Sequence, residues 1–530
     1  LWTGSDDGLI HVSRDGGGHW DNVTPPKSIM PEWIMINEID ASPFDKGTAY
    51  VAATMYKSDD FHPYLYKTND YGKTWTKIVE GLPSNDFTRV IRSDTKRKGL
   101  LFAGTEHAVF VSFDDGAHWE SLQYKLPTTP ISDLLVHDDS LIAATSGRGF
   151  WMLDDIEPLR QLTPEVASKP AYLFTPTMTW RTEGGGRRGG GGRGGAATEG
   201  QNPPNGVIVD YIVNAKPKTK VSLAFLGADG KVIREFKGEV QAEPVKPREL
   251  SGAPAASPAS AAPKKEEEPK EAVKSEGGAA EQQPSEQAEA REEEDEFRPG
   301  GQNDKLTDVV SGHNRFAWDL RTPDAKKFPG MILWAGGTTG VRVLPGTYTV
   351  KLTVGDQSMT APFEVRQDPR TSASAADLKA QYDFVTSTLA KLSEVNEQII
   401  KIRDVRKQLT DVKKRVGSAK ESKPIVDAAN DLDKKMTAVE EALYQTKNHS
   451  PEDPLNFPIK LNDKLAGVAD SAATGSWAPT AQQVAVRDEL VPQIDAQLAK
   501  LKAIWDTDLP AFNKLAATVP AVNVTEKEKK

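Results

Sequence analysis

The chain of 530 residues lacks cysteine altogether, contains only eight histidines and has no long apolar run. The lack of cysteine excludes a disulfide scaffold, a thiolate metal site and a cysteine nucleophile. No stretch of about 18 apolar residues occurs, which argues against a transmembrane helix. The histidines form neither a His-Glu-x-x-His nor a Ser/His/Asp motif, so the residues give no basis for zinc-protease or serine-hydrolase chemistry.

Net charge is also scarce outside one segment. The formal charge is −10, but residues 264–296 contain thirteen acidic and five basic residues and contribute −8 of it. Because the rest of the chain is nearly neutral, we do not expect a generic nucleic-acid-binding protein. The length predicts three or four domains of about 150 residues each.

Two tracts of low complexity interrupt the patterned parts of the chain. Residues 184–195 are nine glycines and three arginines, and residues 251–296 contain five prolines and Val273 as their only large aliphatic side chain. Neither composition buries enough apolar surface to offset the entropy of ordering, so disordered insertions are predicted over 184–200 and 240–303. The Gly/Arg tract is similar to an RNA-binding segment, but the absence of interleaved aromatic residues favours a linker.

Residues 1–163 contain a repeat. An apolar strand that ends in small residues begins at Leu1, Tyr50, Leu101 and Leu141, at offsets of 49, 51 and 40 residues. Three times, a second strand leads into the octad Ser/Thr-x-Asp-x-Gly-x-x-Trp. Short strands that repeat every 40–50 residues are typical of four-stranded propeller blades. The octad residues are Ser13, Asp15, Gly17, Trp20, Thr68, Asp70, Gly72, Trp75, Ser112, Asp114, Gly116 and Trp119.

Each octad, an Asp-box, is predicted to close a hairpin turn. The Ser/Thr and Asp side chains bind backbone N–H groups, the glycine takes a positive φ, and the tryptophan packs between neighbouring sheets. Asp15, Asp70 and Asp114 are candidates for catalytic acids, but a carboxylate bound to turn N–H groups favours a structural role. No carboxylate pair with glycosidase spacing can be assigned, so no catalytic residue is predicted.

A fourth unit, residues 150–156, keeps the strand and an aspartate but lacks the glycine and the terminal tryptophan of the octad. It has the pattern of a last, degenerate blade. Three to four blades do not close a ring, since propellers usually need at least four and often six or more. We therefore expect further blades from upstream sequence or from another chain. Residues 1–4 have the pattern of a strand already in progress, which favours the C-terminal part of a longer protein.

The pattern changes after residue 163 to short alternating strands. Turn sequences such as Ala228-Asp229-Gly230 and Pro345-Gly346 separate them. Six or seven strands in this rhythm predict an immunoglobulin-like β-sandwich over 164–370. The strand candidates are 207–214, 220–226, 231–236, 314–320, 346–354 and 359–366.

The last part of the chain, 371–530, is predicted to be an antiparallel helical bundle. Ser374 begins a capping box, and apolar residues then recur every three or four positions, which predicts a helix of about 40 residues. A second helix is expected over 426–443, and a third after Thr480, with a kink at Pro492. Because each helix has one apolar stripe, the three are expected to pack together.

Four further motifs accompany the Asp-boxes: Phe150-Trp151-x-Leu153-Asp154-Asp155, Gly312-x-Asn314-Arg315-x-x-Trp318-Asp319-Leu320-Arg321, Pro345-Gly346-x-Tyr348 and Asp453-Pro454-Leu455-Asn456-Phe457-Pro458-Ile459. Together they resemble large bacterial proteins described as glycosyl hydrolase or sortilin-like proteins with bacterial neuraminidase repeats. The resemblance implies a secreted, periplasmic or cell-surface protein whose first propeller blades, like any signal peptide, precede this chain. In sialidases, which the boxes resemble, an arginine cluster, a tyrosine and acids act at the central face, and no such set can be transferred to this sequence.

Five Asp-Asp pairs in the propeller part offer oxygen ligands for calcium. Aspartate is equally common in turns, and none of the pairs has the EF-hand spacing. We therefore predict no metal and no other cofactor, with calcium as the alternative. The pairs begin at Asp6, Asp59, Asp114, Asp138 and Asp154.

These features predict non-catalytic recognition of a protein, peptide or glycan by the propeller loops, as the sortilin resemblance implies. The alternatives are an exo-acting glycoside hydrolase, with most of its acids in the further blades, and a structural scaffold in an envelope assembly. The long first helix is a candidate for homodimerisation. One loop, rich in aromatic and acidic residues, is the predicted contact surface: Met55, Tyr56, Asp59, Asp60, Phe61, His62 and Tyr64.

Overall fold

The structure of the chain is a computed structural model, which describes residues 1–182, 203–242, 304–417, 420–517 and 519–524. The tracts 184–195 and 251–296 lie outside the described residues. Strands make up most of the first of two compact units and helices most of the second, so the fold is of the mixed class, β followed by α. The first unit comprises Leu1–Val240, Ser311–Leu320 and Pro345–Thr371, and the second Gln241–Val310, Arg321–Leu344 and Ser372–Lys530.

The repeat region consists of fourteen strands in four antiparallel sheets. The strands are β1 (Trp2–Gly4), β2 (Ile10–Val12), β3 (Asp21–Asn22), β4 (Met35–Ala41), β5 (Ala49–Met55), β6 (Asp60–Thr68), β7 (Thr76–Lys77), β8 (Thr88–Ser93), β9 (Leu101–Thr105), β10 (Val109–Ser112), β11 (Glu120–Ser121), β12 (Ile131–His137), β13 (Ser140–Thr145) and β14 (Phe150–Leu153). Each sheet is a meander of consecutive strands, namely β1–β3, β4–β7, β8–β11 and β12–β14. The second and third sheets have the four strands that the repeat predicts.

Neighbouring sheets pack face to face through apolar side chains. Strand alternation directs Val51 toward the first sheet, where it packs in one cluster with Ile10, and Tyr50 toward the third, where it packs with Phe110. Leu134 of the fourth sheet packs against the far side of the third. The inner strands β4, β8 and β12 lie side by side. This is the arrangement of adjacent blades in a β-propeller.

The sheets that follow contain the predicted sandwich strands. The elements are α1 (Glu157–Gln161), α2 (Pro164–Ala167), β15 (Ala171–Leu173), β16 (Thr179–Arg181), β17 (Val207–Val213), β18 (Lys220–Leu226), β19 (Val232–Glu239), β20 (Lys305–Leu306), β21 (Gly312–Trp318), β22 (Gly346–Val354) and β23 (Gln357–Gln367). In the first unit, β15-β17-β21 form one sheet, and β16-β23-β22-β18-β19 lie in that order in another. Phe225 of one sheet stacks on Trp318 of the other at a ring-centroid distance of 4.3 Å. All six strand candidates are confirmed, with ends shifted by up to three residues.

The second unit is built around five helices in the described part of the chain: α3 (Ala375–Val416), α4 (Lys423–Leu443), α5 (Leu461–Ala473), α6 (Ala481–Ala503) and α7 (Leu509–Leu515). At the start of α3, the Asp377 N–H donates to Ser374 Oγ at 3.1 Å, and the Ser374 N–H donates to Asp377 Oδ2 at 2.9 Å. The helix bounds confirm the three predicted helices, which are α3, α4 and α6 in chain order. Helix α6 continues through Pro492.

Two features of the second unit differ from the sequence interpretation. Helix α5 was not expected, because small residues such as Ala466, Ala469 and Ala472 make up much of its buried face and weaken the apolar periodicity. The segment Arg321–Leu344 packs with the helices, whereas the sequence assigns it to the sandwich over 164–370. It does so because Phe328 joins the helical core, in edge contact with Tyr444 at 4.9 Å.

In the described part of the chain, we find no helix with the length and apolar character that crossing a membrane requires.

Candidate functional site

The three Asp-boxes form turns at one end of the sheets. In the third box, Ser112 Oγ accepts the Gly116 N–H at 2.9 Å, and Asp114 Oδ1 accepts the His118 N–H at 2.9 Å. The first and second boxes make the same pair of bonds at 2.7–2.9 Å. The φ of the octad glycine lies between +81° and +100° in all three, a region that favours glycine.

These bonds keep the box carboxylates ionised. The His19 N–H and imidazole lower the pKa of Asp15 to about 2. A backbone N–H likewise lowers the pKa of Asp70. For Asp114, burial favours a higher pKa, but the bonds from His118 outweigh it and the pKa is lowered. A carboxylate with a lowered pKa, bound to backbone N–H groups, is unsuited to donate a proton at neutral pH.

Two of the three box tryptophans contact the preceding sheet. Trp75 Nε1 donates to the Val23 carbonyl, and Trp119 Nε1 donates to the Ile78 carbonyl, both at 2.8 Å. These two residues are 6% and 4% exposed, whereas Trp20 is 43% exposed. The second and third boxes therefore join neighbouring sheets, and the first box leaves its tryptophan at the surface.

The candidate site lies at the opposite end of the sheets, where the inner strands β4, β8 and β12 begin. We call this end the platform face. Tyr56, in the connection after β5, stacks on Phe87, the residue before β8, at a centroid distance of 4.9 Å. Phe61 lies 6.1 Å from Phe87. These three rings, which come from neighbouring sheets, form the aromatic cluster.

Arg89 adds a cation to the aromatic cluster. Its guanidinium carbon lies 5.1 Å from the ring centroid of Phe87 and 5.9 Å from that of Tyr56. Its Nε donates to Glu106 Oε2 at 2.6 Å, which orients the guanidinium group. Sequence reasoning missed Phe87 and Arg89, because they follow the predicted loop by more than twenty residues and meet it only across the sheet interface.

Part of the predicted contact loop has a structural role. Asp60 accepts bonds from the Tyr64 hydroxyl at 2.6 Å and from the His62 N–H at 3.0 Å. Burial, with the bond to Asp60, raises the pKa of Tyr64 to about 12, so the phenol stays protonated. Tyr64 is buried, whereas Asp59, Phe61 and His62 of the predicted loop are exposed.

Two other residues of that loop shape the backbone. Met55 packs against the core between the first two sheets. Asp59 has a φ of +62° and donates its N–H to the Tyr56 carbonyl at 3.1 Å, which ends a single 3-10 turn. Only the backbone of Asp59 is engaged in this turn, so its exposed side chain remains available to a ligand together with Tyr56, Phe61 and His62.

A histidine on the platform face is oriented by a buried carboxylate. His107 Nδ1 lies 2.8 Å from Asp86 Oδ1, and the Thr105 hydroxyl donates to Asp86 Oδ2 at 2.7 Å. Asp86 is buried, while the His107 side chain is 57% exposed. The bond to Nδ1 leaves Nε2 as the ring nitrogen free to meet solvent or a ligand.

The inner strands are linked by a network around Arg92 on β8. The guanidinium group binds Glu38 on β4, and it binds Asp133 on β12 at 2.9 Å. Asp40 accepts bonds from the Ser93 N–H at 2.8 Å and from the Ser93 hydroxyl at 2.5 Å. Burial raises the pKa of Asp40 against the effect of these bonds. The network thus connects three sheets and engages each of these acids.

An exposed tryptophan stands beside a groove near the platform face. Trp33, two residues before β4, is 76% exposed and has a φ of +62°. A bulky residue in this conformation costs roughly 1–3 kcal/mol, which is typical of functional sites. The groove has a volume of about 430 Å³. Its apolar lining consists of Leu9, Pro25, Pro26, Met30, Pro31 and Trp33.

The predicted Asp-Asp pairs do not assemble into a ligand cluster. Among the residues that the structure describes, no group of three or more His, Asp or Glu side chains could hold a metal ion. Asp115, from the third pair, accepts the Tyr50 hydroxyl at 2.6 Å and pairs with Lys67. The alternative of calcium binding therefore has no assigned site in the described part of the chain.

No family model and no curated protein matches the chain. It is similar to the solved structure of YCF48 bound to D1 peptide, at 17% identity over 28% of this chain and 46% of that one, with a TM-score of 0.23. It is also similar to the GH74 xyloglucanase from Xanthomonas campestris, at 16% identity over 33% and 30% of the two chains, with a TM-score of 0.25. A GH74 enzyme from Niastella koreensis shows 13% identity over 45% and 35%, with a TM-score of 0.25.

The chain spans less than half the length of these three structures.

Proposed function

We propose that this chain is a recognition module that binds a protein, peptide or glycan through the platform face. The observation that carries the proposal is the aromatic cluster with Arg89, together with the exposed Trp33, which precedes the inner strand β4. Aromatic rings next to a cation bind the apolar faces of sugars and the side chains of peptides. Phe61, 46% exposed, presents its ring for such a contact, and the buried Phe87 supports the cluster. The strained backbone at Trp33 supports the same interpretation.

The engagement of the acids supports binding without catalysis. On the platform face, Asp60 is bonded to Tyr64, Asp86 to His107, and Glu106 to Arg89. A glycosidase needs two carboxyl groups free to exchange protons with substrate and water. Carboxylates that hold loops and side chains in place do not meet that requirement.

The proposal is tested by screening the full chain against an immobilised glycan array and a displayed peptide library. For the ligand that binds, Phe61→Ala and Trp33→Ala should each weaken binding about tenfold, which is the loss expected for an aromatic contact residue. Trp334→Ala is the matched control, because Trp334 is 54% exposed but belongs to the second unit. Unchanged binding by both platform variants would contradict the proposal.

One observation favours a glycoside hydrolase as the second candidate. Asp40, on an inner strand, has a raised pKa caused by burial, as a general acid requires. On this alternative, the chain releases nitrophenol from a panel of aryl glycosides and Asp40→Asn abolishes the release. Asp21→Asn, at an exposed acid paired with Arg14, serves as the control. A wild-type chain that hydrolyses none of the panel would show that Asp40 and the acids of this chain do not suffice for hydrolysis.

We also propose a location outside the cytoplasm, secreted or associated with the cell envelope. The resemblance of the Asp-boxes to those of bacterial envelope proteins supports it. Fractionation of the native host, followed by detection of the chain with an antibody, tests it. Recovery in the cytoplasmic fraction alone would contradict this location.

A further inference from the structure

The groove beside Trp33 lies between two connections of this chain. One wall is the turn between β1 and β2, residues 5–9, and the other is the connection from β3 to β4, residues 23–34. Both walls are therefore part of the first sheet and its link to the second. We call this site the Trp33 groove, and its apolar lining is formed by Leu9, Pro25, Pro26, Met30, Pro31 and Trp33.

The corresponding place is closed in the next two sheets. In the second sheet, Tyr56 of the turn after β5 stacks on Phe87 of the connection to β8 at 4.9 Å. In the third, the Thr129 N–H of the connection to β12 donates to the His107 carbonyl of the turn after β9 at 3.4 Å. The first sheet instead leaves a volume of about 430 Å³, which lies within the range of about 300–1,000 Å³ that is typical of ligand sites.

Backbone contacts join the two walls at their base. The Ile36 N–H donates to the Ser5 carbonyl at 3.2 Å, which ties the turn to β4. At Gly8, φ is +93° and a Cβ would lie 3.0 Å from the Ile34 carbonyl oxygen, so the backbone of the turn rests on the connection. Because the walls are fixed to each other, the groove is formed before a ligand arrives, and binding requires little ordering of the protein.

The hydrogen-bonding groups of the lining favour apolar side chains as ligands. Three of the lining residues are prolines, which lack a backbone N–H. The Thr24 hydroxyl donates to Asn22 Oδ1 at 2.7 Å, and the Lys27 ammonium group pairs with Glu32. The hydroxyl groups of a sugar would lose water here and find few donors in exchange, which is unfavourable.

The charge at the turn side of the groove is negative. Asp7 lines the groove and Asp6 precedes it in the turn, and both are exposed. Asp7 accepts the Ser5 hydroxyl through Oδ1, which leaves Oδ2 to a ligand. Lys27, which also lines the groove, is paired with Glu32 and does not offset these two carboxylates. This side of the groove therefore complements a Lys or Arg side chain.

We propose that the Trp33 groove binds an extended peptide at a segment in which large apolar side chains adjoin a Lys or Arg. The apolar side chains lie between Leu9 and the prolines and contact the Trp33 ring, and the cationic side chain pairs with Asp7. This inference rests on the proposed function of the platform face and selects a peptide among its ligand classes. It adds Leu9 and Asp7, which lie outside the aromatic cluster, to the contact residues.

Selection of random decapeptides, displayed on phage, against the full chain tests the ligand class. The selected peptides should carry a large apolar residue next to Lys or Arg, and their affinity should fall about tenfold for Leu9→Glu, which puts a charge into the wall of the groove. Leu515→Glu is the matched control, because Leu515 is 49% exposed, Leu9 is 40% exposed, and Leu515 belongs to the second unit. Equal affinities for wild type and Leu9→Glu would overturn the proposal, as would a selection that yields no peptide.

A charge exchange tests the acidic side of the groove. Asp7→Lys should weaken binding of a selected peptide about tenfold, and a peptide with Glu in place of its Lys or Arg should bind this variant better than wild type. Asp21→Lys, at an exposed acid that pairs with Arg14, should leave the affinity for both peptides unchanged. If Asp7→Lys shows no preference for the exchanged peptide, the proposed cationic contact is wrong.

Photo-crosslinking separates this inference from the proposed function. A benzophenone group in place of the apolar side chain of a selected peptide should cross-link to residues 24–33, as located by mass spectrometry. Cross-links to Tyr56 or Phe61 with none in 24–33 would overturn binding in the Trp33 groove and leave the proposed function of the platform face intact. A chain that binds neither displayed peptides nor arrayed glycans would contradict both.

Discussion

Individual carboxylates show how the same residue type takes different roles in this chain. Asp15, Asp70 and Asp114 bind turn N–H groups and have lowered pKa values, whereas Asp40 is buried among inner strands and has a raised pKa. The direction of the shift follows from whether hydrogen-bond donors or the loss of water dominates. The octad spacing predicts the first group, and no local pattern predicts the shift at Asp40.

At the residue scale, Asp114→Ala should destabilise the chain by about 1–2 kcal/mol at neutral pH, because the His118 N–H loses its acceptor. Asp6→Ala is the control, since Asp6 is exposed and makes no side-chain bond in the described part of the chain. Urea denaturation followed by circular dichroism measures both. Equal free energies of unfolding for the two variants would contradict the structural role of the box.

The pH dependence of the same bond has a definite sign. The folded-state pKa of Asp114 is below its ordinary value of 3.8, so its contribution to stability is present above that value and is lost as the pH falls through the lowered folded pKa. The difference between wild type and Asp114→Asn should therefore be full at neutral pH and shrink as the pH falls below 3.8. Denaturation curves across this range test it, and a difference that grows on acidification would contradict the assignment.

Arg92 offers a second prediction at this scale. Arg92→Met leaves Glu38 and Asp40 close together without their cation, so we expect a loss of about 2–3 kcal/mol. Arg14→Met removes an exposed pair with Asp21 and should cost less than about 0.5 kcal/mol. Chemical denaturation of both variants measures the contrast. A small effect of Arg92→Met would show that the network contributes little to the packing of the inner strands.

At the scale of elements, local signals determine most of the structure. Helix α3 begins where the capping box of Ser374 and Asp377 predicts and continues along a stripe of large apolar residues. Helix α5 escaped prediction because its buried face is rich in alanine, which gives a weak periodic signal. Spacing and turn chemistry therefore predict elements well where the side chains are large or the caps are specific.

At the scale of elements, the close approach of Gly116 to Ile78 of the preceding sheet leads to a prediction about stability. At Gly116, φ is +90° and a Cβ would lie 2.7 Å from Ile78, whereas at Gly147 φ is +95° and no atom lies within 4 Å. Gly116→Ala thus adds a clash to the backbone strain that both substitutions share, and should cost about 1–3 kcal/mol more than Gly147→Ala. Thermal or urea unfolding of the two variants measures the difference, and equal losses would contradict the close contact of sheets.

At the scale of the whole molecule, most of the net charge lies in a segment other than the proposed binding face. The acidic tract 264–296 contributes −8 of the formal −10, while the platform face combines Arg89 with paired acids. The isoelectric point of the chain, about 5.5, therefore says little about which ligand this face prefers. Recognition depends on the aromatic cluster and on how the sheets bring it together.

Deletion of residues 264–296 tests whether the acidic tract contributes to ligand binding. The formal charge changes from −10 to −2, so the shortened chain should elute earlier from an anion exchanger. Binding of the ligand found on the glycan array or in the peptide library should keep its affinity and salt dependence, because the platform face is unchanged. An altered salt slope would assign part of the binding to the acidic tract.

The sequence by itself determined the strands, the Asp-box turns and the three helices with clear stripes, because these depend on spacing within a few residues. Only the tertiary structure decided which residues meet: Phe87 and Arg89 with Tyr56, and Arg92 with acids of two other strands. It also placed Arg321–Leu344 with the helices. The physical reason is that contacts between sheets depend on strand order and packing, which bring together residues whose separation along the chain carries no pattern.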